Sequence, residues 1–127
     1  MGKTLDLKTR ERIALAVAQV NRCNYCLSAH TYLALNLAKL LPEEVALNRQ
    51  ATSADAKAQA AVSFAAQVAA ERGHVPTEAI AQVREAGYSE AQIVEIVALV
   101  AENTFTNYLN EVAQTDIDFP TVHADEI

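Results

Sequence analysis

A chain of 127 residues is long enough for one domain with its own core, and 51% hydrophobic residues exclude a disordered polymer. A net charge of −6 excludes a general nucleic-acid binder, which needs a cationic footprint. Three Gly and three Pro against many Ala and Leu favour helices over sheet.

The first predicted helix runs from Leu7 to Val20. Its run "IALAVA", Ile13 to Ala18, is apolar on every side, so this helix is expected to be buried all round. Ahead of that run, in the first turns of the helix, Lys8, Arg10 and Arg12 have acidic residues mixed among them and read as a solvated face. "NR" at 21 and 22 interrupts the pattern. A second helix is expected from near Cys23 to about Leu41, with the stripe Cys26, His30, Leu33, Leu37 and Leu40. Pro42 suits the first position of a short third helix, "PEEVALNR". Thr52 or Ser53 is expected to cap a fourth, "AQAAVSFAAQVAAER", that stops at Gly73. Pro76 opens a fifth, ending at Gly87. Ser89 with Gln92 three later forms a capping box for a long sixth helix, about 90 to 114, with Ile93, Ile96, Val97 and Val100 on its apolar face. The tail, 115–127, has no periodicity and is expected to pack loosely or against a partner. The expectation is one all-α domain over 1–127, a compact bundle of about six helices.

No apolar leader opens the chain, and no later segment is long enough to cross a membrane. Gly2 follows Met1, but Asp6 stands where a myristoylation signal needs Ser or Thr. These features lead to the expectation of a cytoplasmic protein with no membrane partner.

The stretch "NRCNYCLSAH", residues 21 to 30, carries the chemistry. On a helix, Cys23, Cys26 and His30 lie within about 60° of one another. A helix start at Cys23 favours a thiolate there, and His30 can accept its proton or stabilise it. Either residue type alone is more often a core group. Two cysteines at CxxC spacing, a helix start and a histidine one turn on point instead to chemistry. In a reducing cytosol such a short bridge is a poor staple. Zinc is the rival, but Cys23, Cys26 and His30 are three ligands and a closed site needs a fourth. Glu11 would complete an unusual set, and His74 and His123 stand isolated in expected loops. A redox pair fits better: one thiolate becomes a sulfenic acid, and its neighbour condenses with it to a disulfide. Glu11, twelve residues before Cys23, returns beside the cysteines if the first two helices form an antiparallel hairpin. Otherwise it is an exposed carboxylate.

Glu11 with Cys23-x-x-Cys26-x-x-x-His30, inside "LDLKTRERIALAVAQVNRCNYCLSAH", resembles the AhpD-type alkylhydroperoxidases of the carboxymuconolactone decarboxylase superfamily. The late stretch "IVEIVALVAENTFTNYLNEVAQTDIDFP" resembles peroxidase-related members of it. The resemblance implies an all-helical subunit in a homo-oligomer, often a trimer or hexamer. It implies an antioxidant peroxidase with Cys26 as the peroxidatic thiol, Cys23 as the resolving thiol, and Glu11 and His30 as proton relay; a thioredoxin-like reading would instead make Cys23 the attacking group, and Cys26 is preferred. It suggests an external lipoyl- or thioredoxin-like dithiol as reductant. No flavin, haem or nicotinamide fingerprint is visible, and no cofactor or metal is expected. The superfamily name suggests a decarboxylase or lactone-processing enzyme as the alternative, and a zinc-stabilised or redox-sensing module is a further one. Two features depart from the pattern. Tyr25 stands where peroxidase members carry a further His, and its expected role is packing. Many relatives also have additional helices before the Glu, so this is either a short form or a chain lacking an upstream segment. Asn103, Asn107 and Asn110 follow helical spacing and are expected at a subunit interface.

Overall fold

A computed structural model describes residues 4–127; Gly2 lies outside them. Among the described residues the regular elements are six α-helices: α1 (Leu7–Asn21), α2 (Asn24–Asn36), α3 (Pro42–Arg49), α4 (Ala56–Glu71), α5 (Thr77–Glu85) and α6 (Glu90–Ala113). None is long and apolar enough to cross a membrane.

α1 is the axis of the bundle, packed against α2, α3, α4 and α6. Its all-round apolar run decides that place: every residue from Ile13 to Ala18 is buried. Two larger cores meet on it. Ile13 and Val17 join Phe64, Val83, Ile93 and Ile96 between α1, α4, α5 and α6. On the other side Leu15 joins Leu27, Leu40, Val45 and both cysteines, so the CxxC pair is itself core. Each large aliphatic group so removed from water contributes about 1.5–3 kcal/mol.

The helix starts follow capping chemistry. Asp6 caps α1 by accepting from the Thr9 amide at 2.8 Å. The hydrogen bonds from Thr9 hold the Asp6 carboxyl below its ordinary range. Ser89 and Gln92 close the expected capping box of α6. The cap of α4 is Asp55 rather than Thr52 or Ser53. Those two hydroxyls are already engaged, Thr52 donating to the Leu47 carbonyl and Ser53 to the Glu44 carboxylate.

α2 stops at Asn36, short of the expected Leu41. Lys39 enters the left-handed region (φ 62°). The amides of Ala38 and Leu40 then close back on the carbonyls of Leu33 and Ala34. Leu37 of the expected stripe is consequently 60% exposed, while Leu40 is buried. On α6, Val97 is likewise exposed, whereas Ile93, Ile96 and Val100 are buried.

Three further expectations are corrected. Arg12 is not on a solvated face: its side chain is 12% exposed and its Nε donates to Glu44 Oε2 at 2.7 Å. Asn103 and Asn107 are buried within the subunit. Asn107 accepts from the Asn21 side chain at 3.0 Å, and Asn103 donates to the Leu99 carbonyl. The tail does not pack loosely. The Val122 amide donates to Ser28 Oγ and the Ala124 amide to Asn24 Oδ1, each at 2.8 Å. Gln19 and Arg49 donate to the carbonyls of Ala124 and His123. Phe119 lies against the rings of Tyr25 and Tyr32.

Candidate functional site

The site grows out of the α1–α2 turn. α1 ends where Arg22 adopts a left-handed conformation (φ 56°), its amide closing on the Ala18 and Gln19 carbonyls. That reversal brings α2 back along α1. Cys23 is the residue that caps α2, and its Sγ accepts from the Cys26 amide at 3.2 Å. The Cys23 and Cys26 sulfurs are joined as a disulfide, with a Cα–Cα separation of 5.2 Å that suits the bond. Both residues are almost fully buried, at 1% and 4% exposure. A sulfur capping a helix faces free amides and the positive end of the helix dipole, so a thiolate is favoured there once the bridge opens.

One turn along α2 from Cys26 is His30. Its Nδ1 is 2.8 Å from Glu11 Oε1, so the hairpin does return Glu11 to the cysteine helix. Glu11 is buried, at 9% exposure, and is not part of a solvated charged face. With an ionised carboxylate as its partner, Nδ1 must carry the hydrogen. That leaves Nε2 as the nitrogen able to take or deliver a proton. All four expected residues are therefore built into one hairpin, in two bonded pairs: Cys23 with Cys26, and His30 with Glu11.

Other groups line the disulfide. From α6, Asn110 Nδ2 lies 3.8 Å from Cys26 Sγ, and the Thr106 carbonyl lies 3.9 Å from it. Sequence reasoning singled out Asn110 by its spacing but assigned it to an interface. Its position over the cysteine depends on how α6 crosses α2, which no local pattern encodes. Tyr25 does pack, edge-on to Phe119 with ring centroids 6.0 Å apart. Among the described residues, no three His, Cys, Asp or Glu side chains gather at metal-binding distance. His74 follows α4 in a loop, and His123 sits in the tail.

Residues 1–71 match the model of the carboxymuconolactone decarboxylase family, more than half of the chain. The chain belongs to the carboxymuconolactone decarboxylase family. The matched stretch runs through α4 and holds Glu11, Cys23, Cys26 and His30, whereas α6 lies beyond it. The family fold, AhpD-like, appears also in a crystal structure of an uncharacterized peroxidase-related protein from Silicibacter sp. TM1040. That chain is 23% identical with a TM-score of 0.78, over 95% of this chain and 62% of its own. An uncharacterized protein of Haemophilus influenzae is 66% identical over 29 residues, 23% of this chain and 26% of that one. This carboxymuconolactone decarboxylase family member thus spans under two thirds of the length of either relative.

Proposed function

We propose that the chain is a thiol peroxidase that reduces hydrogen peroxide or an organic hydroperoxide at its cysteine pair and serves an antioxidant role in the cytoplasm. The observation that carries this reading is the closed Cys23–Cys26 pair at the start of α2, with the His30–Glu11 hydrogen bond one turn further on.

In the proposed cycle the Cys26 thiolate attacks one peroxide oxygen. The O–O bond breaks, its electron pair leaves as alkoxide or hydroxide, and a proton from His30 makes the alcohol or water. Cys26 is left as sulfenic acid. Cys23 attacks that sulfur, the S–S bond forms, and the S–O bond breaks to release water after protonation. Glu11 holds the charged imidazole while His30 shuttles these protons. The disulfide seen here corresponds to the end of this half-cycle. An external dithiol, lipoyl- or thioredoxin-like, then takes over the oxidation by thiol–disulfide exchange and needs no bound cofactor.

A homo-oligomer, trimer or hexamer, accompanies this reading. Its support is an exposed apolar stripe on α6: Val94, Val97, Phe105, Tyr108 and Val112.

The test is hydroperoxide consumption with dithiothreitol, comparing wild type with Cys26→Ser and Cys23→Ser. Turnover should vanish in both, and a sulfenic acid should be trapped at Cys26 when Cys23 is absent. A wild type that exchanges disulfides with dithiols but consumes no peroxide would replace the peroxidase by a general disulfide reductase. A family-type decarboxylase or lactone-processing activity surviving removal of both cysteines would overturn the redox reading altogether.

A further inference from the structure

Two polar groups of α6 face the Cys26 sulfur: the Thr106 carbonyl at 3.9 Å, which can only accept and so suits the neutral thiol, and the side chain of Asn110, which can donate. Asn110, on α6, is half-buried, and its side-chain amide nitrogen makes two contacts. One is with the Thr106 carbonyl, at 2.8 Å and one turn back on the same helix. The other is with Cys26 Sγ at 3.8 Å. A carbonyl accepts only, so the Thr106 contact fixes which end of the Asn110 amide faces inward: it must be the NH2. An NH2 group has two hydrogens. One is held by Thr106 O, and the other is left for the sulfur.

We infer that Asn110 is a catalytic residue of this site, whose amide donates to the Cys26 sulfur and favours its thiolate in the reduced protein. This rests on the reading above in which Cys26 is the attacking sulfur. The physical case is differential. A thiolate is a strong acceptor and a thiol a weak one, so a donor N–H lowers the energy of the charged form more. The two sulfurs then receive their donors from different sources. Cys23 takes the backbone amide of Cys26, a consequence of any helix beginning there. Cys26 takes a side chain from a helix more than eighty residues away in the chain. The second arrangement is one that a single substitution can remove.

The test is the pH dependence of Cys26 alkylation by iodoacetamide in the reduced Cys23→Ser chain, where Cys26 is the sole thiol. Asn110 is compared with Asn110→Ala and Asn110→Asp. The alanine removes the donor, and the near-isosteric aspartate places a carboxylate beside the sulfur. The rate at pH 7 should fall about threefold to tenfold in Asn110→Ala and further in Asn110→Asp, with the midpoint of the profile moving to higher pH in that order. The plateau at high pH, where the thiolate is complete in every variant, should not fall, and should rise by no more than about threefold for each pH unit that the midpoint moves, because a more basic thiolate is the better nucleophile. A merely structural defect would lower the plateau, or raise it beyond that, and leave the midpoint in place. Midpoints that coincide in all three chains would overturn the inference. The readout contains no peroxide, so it stands apart from whether the wild type turns peroxide over.

Discussion

Replacing Glu11 by Gln keeps its shape and removes its charge, which isolates what the carboxylate does for His30. The Nδ1–Oε1 contact is 2.8 Å, within a half-buried hairpin. Hydrogen bonds to a charged partner contribute about 1.5–3 kcal/mol and neutral ones about 0.5–1.5 kcal/mol. The amide oxygen can still accept from Nδ1, so the loss is the difference, about 1–1.5 kcal/mol. Since about 1.4 kcal/mol is tenfold in rate, kcat/KM for hydroperoxide should fall about 5- to 15-fold. His30→Ala removes the proposed proton carrier itself and should cost about 100-fold or more. The assay is initial-rate peroxide consumption at saturating dithiol for both single variants and the pair. Glu11→Gln should add nothing in the His30→Ala background, because its effect is exerted through the imidazole. An unchanged rate in Glu11→Gln would refute the charge argument. Equal, additive losses in the two backgrounds would refute the coupling.

Other perturbations test the frame around the site. Glu44 accepts from Arg12, Asn48, Ser53 and the Ala54 amide, so Glu44→Ala strands a buried guanidinium and should cost about 3–5 kcal/mol in urea unfolding. Burial works against the charged Glu44 and Glu95 carboxylates, yet hydrogen bonds hold both below the ordinary glutamate value of 4.5. The donors are Ser53, Ala54, Asn48 and Arg12 at Glu44, and Thr4 and Leu5 at Glu95. Their stabilisation is therefore complete above about pH 4.5 and is lost as pH falls through the lower folded-state values. Thermal unfolding between pH 7 and pH 3 should show Tm dropping only in the acid range, with a shallower drop in Glu95→Gln. Ser28→Ala removes the acceptor of the Val122 amide, about 1 kcal/mol. Proteolysis of the tail should accelerate severalfold while the helical core stays intact; an unchanged cleavage rate would show that Phe119 and Asn24 hold the tail without it.

The fold was legible where one residue type has one physical use. The all-round apolar run of α1 placed it at the centre, and Ser89 with Gln92 marked the start of α6. What escaped depended on partners distant in sequence. Lys39 ends α2 in a left-handed turn without the glycine that usually announces one. Ser53 looked like a helix cap because nothing local revealed that Glu44 would claim its hydroxyl. The asparagines of α6 follow a visible spacing, but whether they meet a neighbouring subunit or α1 and α2 depends on a crossing of helices. Within the site, the cysteine spacing and the helix start were readable from the chain itself. The partnership of Glu11 with His30 required the hairpin, which the left-handed Arg22 supplies.

The central position of α1 divides the site into a stiff half and a compliant half. Glu11 rides on the helix that touches four others, so amides around it should exchange with solvent only when the whole domain opens. The cysteines sit at a helix end beside a tail held by two hydrogen bonds to α2 and by Phe119, Val122 and Ala124, where partial opening is less costly than along α1. Thiol–disulfide chemistry requires the two sulfurs to separate and rejoin at every cycle, whereas in the proposed relay Glu11 is the fixed anchor of the His30 imidazole. Hydrogen exchange in the oxidised and reduced protein should accordingly differ around residues 22–28 and the tail, and remain the same along α1.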